Sequence, residues 1–416
     1  MPDIHIIGAG LAGLACAVAL AKRGKRAVVH EAAGQAGGRC RSFHDDVLDC
    51  QIDNGNHLML SGNWAVMDYL DEIGARDTLI SPPRAAIPFI DLETGERWTV
   101  RPNAGPIAWW IFSKSRRVPG SRPVHYLQAL RLWRAGKDAS VADCFDTDLP
   151  LYKRLWEPLA VAVLNTEAEE GAAKLLWPVV FETLGRGEAR TRPCIARDGL
   201  SHSLVDPALA YLEKHGTEVR FGQRLRQIER EDGRVTALVI GRRTLALEDG
   251  DRMVLATTPA VAKSLLPEIK APTESRAIVN AHFRLDTPIP SDDTPLLGVI
   301  GGTAQWLFLR GEIVSVTISA ADALIPVAAE TLAPRIWADV AKALDLGDMP
   351  MPRSRIVKEK RATFAQTPES LDSRPPTTTS YDNLFMAGDW TDTDLPATIE
   401  GAVRSGFKAA ANIEAS

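Results

Sequence analysis

The apolar run from Ile4 to Ala21, IHIIGAGLAGLACAVALA, carries one His and no charge, and three glycines interrupt it early. The chain starts Met-Pro-Asp, with no basic segment ahead of the run. The pattern therefore fits a buried strand, a tight turn and a helix better than a signal or membrane helix. Ile4–Ile7 reads as a short parallel strand. A helix follows to about Lys22-Arg23, with Gly24 as its stop, and Arg26–His30 makes a second strand ending at Glu31. Farther on, strands are predicted at 218–221, 225–229 and 235–240, with Glu231-Asp232-Gly233 as a turn. Residues 252–257 predict a strand returning to the first sheet, followed by a helix from Pro259. Strands at 276–285, 304–309 and 313–318 and a helix over about 328–344 complete the middle. Near the end, NLFMAGD predicts a strand, then a polar loop, then a helix opened by Pro396. No other stretch is long enough to span a bilayer, and no repeat or low-complexity tract is present.

The first glycines carry chemistry. In Gly8-Ala9-Gly10-Leu11-Ala12-Gly13, Gly8 permits a tight turn, Gly10 a close approach of pyrophosphate to backbone, and Gly13 close packing of helix on strand. The helix start offers unpaired N–H groups to phosphate. Glu31, followed by Ala32, stands where an acid binds a ribose hydroxyl, and an acid there disfavours a 2′-phosphate. Strand, glycines, helix, second strand and acid together predict dinucleotide binding, NAD or FAD. A glycine-rich packing turn is the bland alternative. Gly37-Gly38-Arg39 is a flexible cationic turn that could meet a second stretch of the same ligand. Asp53-Asn54-Gly55-Asn56-His57 is a polar turn on the scale of a flavin's contacts.

Composition narrows the classes. The length of 416 residues suits two or three domains, and a net charge of −5 argues against nucleic acid as a partner. Five cysteines without a CxxC pair read as free thiols of a reducing compartment, and the histidines show no metal-ligand spacing, so no metal is expected. Residues 97–137 hold nine Lys/Arg, no Asp/Glu and four of the ten tryptophans. There Trp109, Trp110, Ile111 and Phe112 adjoin a basic cluster, and 124–137 reads as an amphipathic helix. Contact with an anionic membrane surface is the expectation, against a basic surface over a normal core.

GAGLAGL, Glu31, GGRCRS, DNGNH and AGDW with LPATIEGA together resemble the FAD-dependent amine oxidase and phytoene desaturase superfamily. DNGNHLML (53–60), WEPLAVAVLNT (156–166), RATFAQTPE (361–369) and GDWTDTDLPATIEGAVRSG (388–406) bring it nearest to the hydroxysqualene dehydroxylases of hopanoid biosynthesis. The resemblance implies an α/β fold. A Rossmann-like FAD-binding domain of glutathione-reductase-2 type would carry an inserted α+β substrate domain and a mostly helical, membrane-facing part. Segments 1–70, 196–260 and 375–416 would bind FAD, and 71–195 and 261–374 would bind substrate. One extended FAD would be gripped from both chain ends, with Leu225 offering backbone to adenine. Gly388 allows close approach, Asp389 offers a carboxylate to the ribityl chain, and the helix mouth at Thr398 and Ile399 faces the flavin ring. No cysteine follows Cys194, so the flavin is not tethered by a C-terminal thioether.

The activity so implied is reductive removal of an allylic hydroxyl from hydroxysqualene, giving squalene. A long isoprenoid would lie in an apolar tunnel lined partly by Trp156, Leu159, Val163 and Trp177. Candidates for the proton donor are His57, Glu157, Asp392 and Asp394. GVIGGTA at 298–304 lacks a strand–helix setting, so no nicotinamide site is indicated and the electron donor stays unnamed. The location expected is cytoplasmic, at the inner membrane face. Alternatives are a polyisoprenoid desaturase, a flavin amine oxidase, or a prenyl-binding protein of the GDP-dissociation-inhibitor type.

Overall fold

A computed structural model describes residues 3–289 and 295–416. Met1 and Pro2 of the expected segment 1–70, and residues 290–294 of 261–374, lie outside the described residues.

The apolar stretches around the first glycines form a five-stranded parallel sheet. Its order is Glu218–Arg220, Ala27–His30, Ile4–Ile7, Arg252–Leu255 and Leu384–Met386. Ile4–Ile7 is buried throughout and Arg252–Leu255 is buried from Met253 on, as a parallel sheet covered on both faces requires. The first helix, Leu11–Lys22, packs against the closing helix, Ile399–Ala415. Contact is close: a Cβ on Gly406 would lie 2.3 Å from the carbonyl oxygen of Ala12. The strand expected over 252–257 stops at Leu255; Ala256 makes the last ladder bond, to the Ile7 carbonyl, before the helix Pro259–Leu265.

Leu225–Glu231, Arg234–Ile240 and Arg243–Ala246 form a three-stranded antiparallel sheet beside the first. A seven-stranded sheet runs in the order Arg353–Phe364, Ser275–Arg284, Ile313–Ile318, Trp306–Arg310, Leu296–Ile300, Ile87–Asp91 and Arg97–Val100. The helix Ala329–Ala343 lays Leu332, Ile336, Trp337 and Val340 on one face of it, against Val279, Phe283, Leu307 and Val316. The GVIGGTA segment begins in a strand and returns as an antiparallel hairpin onto Trp306–Arg310, with no helix following.

Residues 97–137 correct two expectations. The helix expected over 124–137 is a helical run over 123–133, α-helical at Pro123–Tyr126 and Leu130–Trp133 and tightened to 3₁₀ at Leu127–Ala129. Tighter winding brings residues three apart onto one face. Val124, Leu127, Leu130 and Trp133 accordingly all face solvent, while Tyr126 and Leu132 turn inward. Of the four-residue apolar cluster, Trp109 and Phe112 are exposed. Trp110 and Ile111 are buried, because Trp110 packs edge-on against Tyr126 at 5.2 Å. Among the described residues, no helix is long and apolar enough to cross a membrane.

Candidate active site

The glycine loop has the backbone that its sequence demands. Gly8 has φ +109°, and a Cβ there would meet the Ala256 carbonyl oxygen at 2.4 Å. A Cβ on Gly13 would sit 1.9 Å from the Gly8 carbonyl oxygen, so the helix can start on the strand only without a side chain there. Among the described residues, chain neighbours aside, no atom lies within 4 Å of where a Gly10 Cβ would be, which leaves one side of the loop open. Leu11 and Ala12 are buried beneath it. Glu31 accepts from the Ala9 amide at 2.7 Å and the Ala33 amide at 2.8 Å, tying the second strand's end to the loop. Its oxygens keep spare lone pairs for a hydroxyl donor. Ala32 is exposed, and buried Leu225 is brought alongside by the Gln223 amide, which donates to the Glu31 carbonyl at 2.7 Å.

The Gly37-Gly38-Arg39 turn folds over this loop. The Gly37 amide donates to the Ala9 carbonyl at 2.8 Å, and a Cβ on Gly38 would lie 3.4 Å from the Gly10 Cα. Arg39 then reaches across the molecule. Its guanidinium donates to Asp389 Oδ1 at 2.7 Å and to the Ala362 carbonyl at 2.6 Å. This ion pair joins the motifs of the two chain ends. Gly388 is held by the Ser405 hydroxyl, which accepts from its amide at 2.8 Å, and a Cβ there would strike the Trp390 indole nitrogen at 2.5 Å.

The closing helix presents its N-terminal end nearby. Thr398 caps it by accepting from the Gly401 amide at 3.1 Å. The amides of Ile399 and Glu400 find no acceptor among the described residues. The Glu400 side chain turns away and accepts from the Ala65 and Val66 amides at 3.1 and 2.9 Å, and from Arg404 Nε at 2.7 Å. Burial nonetheless pushes its carboxyl up. Sequence reasoning passed over Glu400, although its i,i+4 spacing to Arg404 was a readable signal.

The DNGNH turn sits against the seven-stranded sheet. Asp53 pairs with Arg310 at 2.7 Å and accepts from the Ser42 hydroxyl at 2.6 Å. Asn56 donates to Thr317 Oγ1 at 3.1 Å, and Thr317 donates to Asn280 Oδ1 at 2.9 Å. The Asn56 side-chain oxygen is buried without a partner. A Cβ on Gly55 would lie 3.5 Å from the Asn280 amide nitrogen. Burial pushes His57 down to about 4, so the imidazole is neutral at neutral pH, and its Nε2 lies 3.9 Å from Cys40 Sγ. Burial also raises the Cys40 thiol to about 12, so no thiolate stands there. Asn280 and Thr317 gave no signal in sequence, because only the strand pairing brings them to the turn.

The expected substrate and acid residues scatter. Trp156 is 4% exposed and stacked on Phe145 at 5.3 Å. Leu159, Val163 and Trp177 are half-buried against the same core. Glu157 opens the helix Glu157–Leu164, and burial, then Glu169 and Glu167, raise its carboxyl. Asp392 and Asp394 are exposed, and Asp392 accepts from the Asp394 amide at 3.4 Å. A groove of about 480 Å³ opens at Leu127, Leu130, Trp133, Arg134 and Cys144.

An open glycine loop, an acid at the second strand's end, a second turn reaching Asp389 and a helix mouth with free amides fit one extended dinucleotide. The orphaned Asn56 oxygen adds an acceptor awaiting a donor. The sequence profile of the family described as flavin containing amine oxidoreductase matches residues 11–414. The chain belongs to the flavin containing amine oxidoreductase family. Within that family, it is similar to a hydroxysqualene dehydroxylase of Sinorhizobium fredii, 46% identical with 98% of this chain and 97% of the relative covered. A hydroxysqualene dehydroxylase of Zymomonas mobilis is 44% identical, covering 99% and 98%. The fold matches that of cyclohexylamine oxidase from Brevibacterium oxydans at a TM-score of 0.71, with 16% identity and 99% and 98% of the two chains covered.

Proposed function

We propose that this flavin family member binds FAD without a covalent tether and removes the allylic hydroxyl of hydroxysqualene, giving squalene. The observation that carries the substrate is the likeness to hydroxysqualene dehydroxylases along the whole chain. Segments 1–70, 196–260 and 375–416 form the cofactor-binding part. Gly8 to Gly13 take the pyrophosphate, Glu31 and Leu225 the adenosine end, Arg39 and Asp389 the middle, and Gly55 to His57 with Thr398 and Ile399 the ring.

Held by these residues, a reduced flavin would supply the hydride that replaces the hydroxyl, and the hydroxyl would take one proton and leave as water. The free amides of Ile399 and Glu400 favour negative charge at the helix mouth. Neutral His57 supplies a hydrogen bond rather than a charge. Glu157 has surroundings that favour its protonated form, Asp392 and Asp394 face solvent, and these three remain the candidates for the proton. Leu159, Val163 and Trp177 give the chain apolar company.

A substrate so apolar partitions into lipid, so residues 97–137 are read as the face that meets an anionic membrane. Ile107, Trp109, Phe112, Val124, Leu127, Leu130 and Trp133 are all more than half exposed, amid a segment whose net charge is positive. The short turns there give the mostly helical, membrane-facing part of this reading.

The test is anaerobic. Dithionite-reduced holoprotein given hydroxysqualene in detergent yields squalene as the flavin reoxidises. Turnover of an amine or a carotene precursor, with no squalene formed, would overturn the assignment.

A further inference from the structure

Three of the stretches that set this sequence apart, 156–166, 361–369 and 388–406, are far apart in the chain. They meet at one buried side chain. Gln366 is fully buried, and all four of its polar groups are used. Its side-chain amide donates to the Leu164 carbonyl, and its side-chain oxygen accepts from the Ala397 amide at 2.7 Å. Its backbone amide donates to Thr166 Oγ1 at 3.1 Å, and its carbonyl accepts from the Ala172 amide at 2.8 Å.

Each end of this bridge matters. Leu164 closes the helix Glu157–Leu164, whose last carbonyls have no intrahelical donor. Asn165 follows at φ +47°, accepting from the Ala320 amide at 2.7 Å and donating to Thr363 Oγ1 at 3.0 Å. That end of the helix is therefore anchored to the seven-stranded sheet. Ala397 immediately precedes Thr398, the cap of the closing helix. One side chain thus spans from the helix carrying Leu159 and Val163 to the helix mouth with free amides. Only a primary amide can donate at one end and accept at the other in this space. An apolar replacement strands a buried carbonyl and a buried N–H together.

We propose that Gln366 is a positioning residue, holding the mouth of the closing helix at a fixed place against the Glu157–Leu164 helix. It rests on the flavin reading above. The amides of Ile399 and Glu400 then keep their aim at the reacting ring, and the bridge sets how strongly the reduced cofactor is favoured over the oxidised one.

The experiment compares Gln366→Met, similar in length but without the amide, with Thr367→Ala. The latter removes the cap of the neighbouring turn, where Thr367 Oγ1 accepts from the Ser370 amide, and leaves the bridge intact. Gln366→Met retains FAD but shifts the ratio of reduced to oxidised affinity about tenfold, which for a two-electron couple is ~30 mV in midpoint potential. Its kcat falls with KM little changed, and amide exchange over 397–402 in the apoprotein quickens. Thr367→Ala loses stability alone. Should Gln366→Met not fold, Gln366→Asn, too short to bridge, is measured the same way. An unshifted potential in every folded variant overturns the inference. A wild-type protein that takes up no flavin overturns instead the reading on which it rests.

Discussion

The glycine loop and the basic aromatic segment at 97–137 both stand out in sequence, yet they translate differently into structure. In the loop, two of the three marked glycines meet a backbone constraint a few residues or one strand away. Gly8 needs a positive φ, and Gly13 needs the space of a missing Cβ. In the aromatic segment, adjacent residues divide: Trp110 and Ile111 go inside while Trp109 and Phe112 stay out. Composition marks such a segment without saying which way each ring points. A motif defined by backbone shape is local, whereas the fate of a ring is decided by whatever packs against it.

Substitutions can break or sharpen this contrast. The largest effect is expected at the buried ring. Trp110→Ala costs about 3–5 kcal/mol, as for other large side chains removed from a core. Urea unfolding would read it, and a cost under about 1 kcal/mol would mean that the ring is not packed as described. Gly13→Ala follows, at about 3 kcal/mol, the upper end of overpacking, since the neighbour to be displaced is backbone. Its counterpart Gly10→Ala keeps the melting temperature and loses flavin retention, because among the described residues, chain neighbours aside, no protein atom is near. If both variants behave alike, the assignment of different roles to the two glycines fails.

The third measurement is one of pH. His282 is fully buried beside Ser315 Oγ at 2.8 Å, and burial pushes it down to about 4. Unfolded histidine titrates near 6.5. Protons therefore bind the unfolded chain first. The stability due to this group is whole above pH ~6.5, declines as pH falls towards 4, and is reduced by about 3 kcal/mol at the end. His57 falls in the same window, so His282→Asn should make that part of the urea-midpoint profile less steep rather than flat, and an unchanged slope would refute the buried neutral ring. The smallest stability effect is at Trp109. Trp109→Ala stays within about 0.5 kcal/mol but weakens co-sedimentation with anionic vesicles. Undiminished sedimentation would count against the membrane face.

The same contrast explains what could be read beforehand. The parallel strands and the family were legible, because buried strands and glycine turns write themselves into consecutive residues. Asp389 was marked as a ribityl partner, but its pairing with Arg39 was invisible, since 350 residues separate them. Asn280, Thr317 and Gln366 were missed for a related reason. Each is an ordinary polar residue in its own segment and becomes special only through partners from other strands. Trp156 marks a limit of the sequence, because an aromatic beside an apolar helix looks alike there whether it lines a channel or fills a core. The helix expected over 124–137 stops at Trp133 and tightens at Leu127–Ala129, where apolar positions three apart suit a 3₁₀ turn.

The close seam between Ala12 and Gly406 has a consequence for how the protein is made. At ~5–20 residues per second, the first helix waits ~20–80 s on the ribosome before its partner is synthesised. Throughout that interval the strip of it that meets Gly406, at Ala12, Ala15 and Cys16, stays uncovered. The seam between the two helices can close only after residues 399–415 have been made.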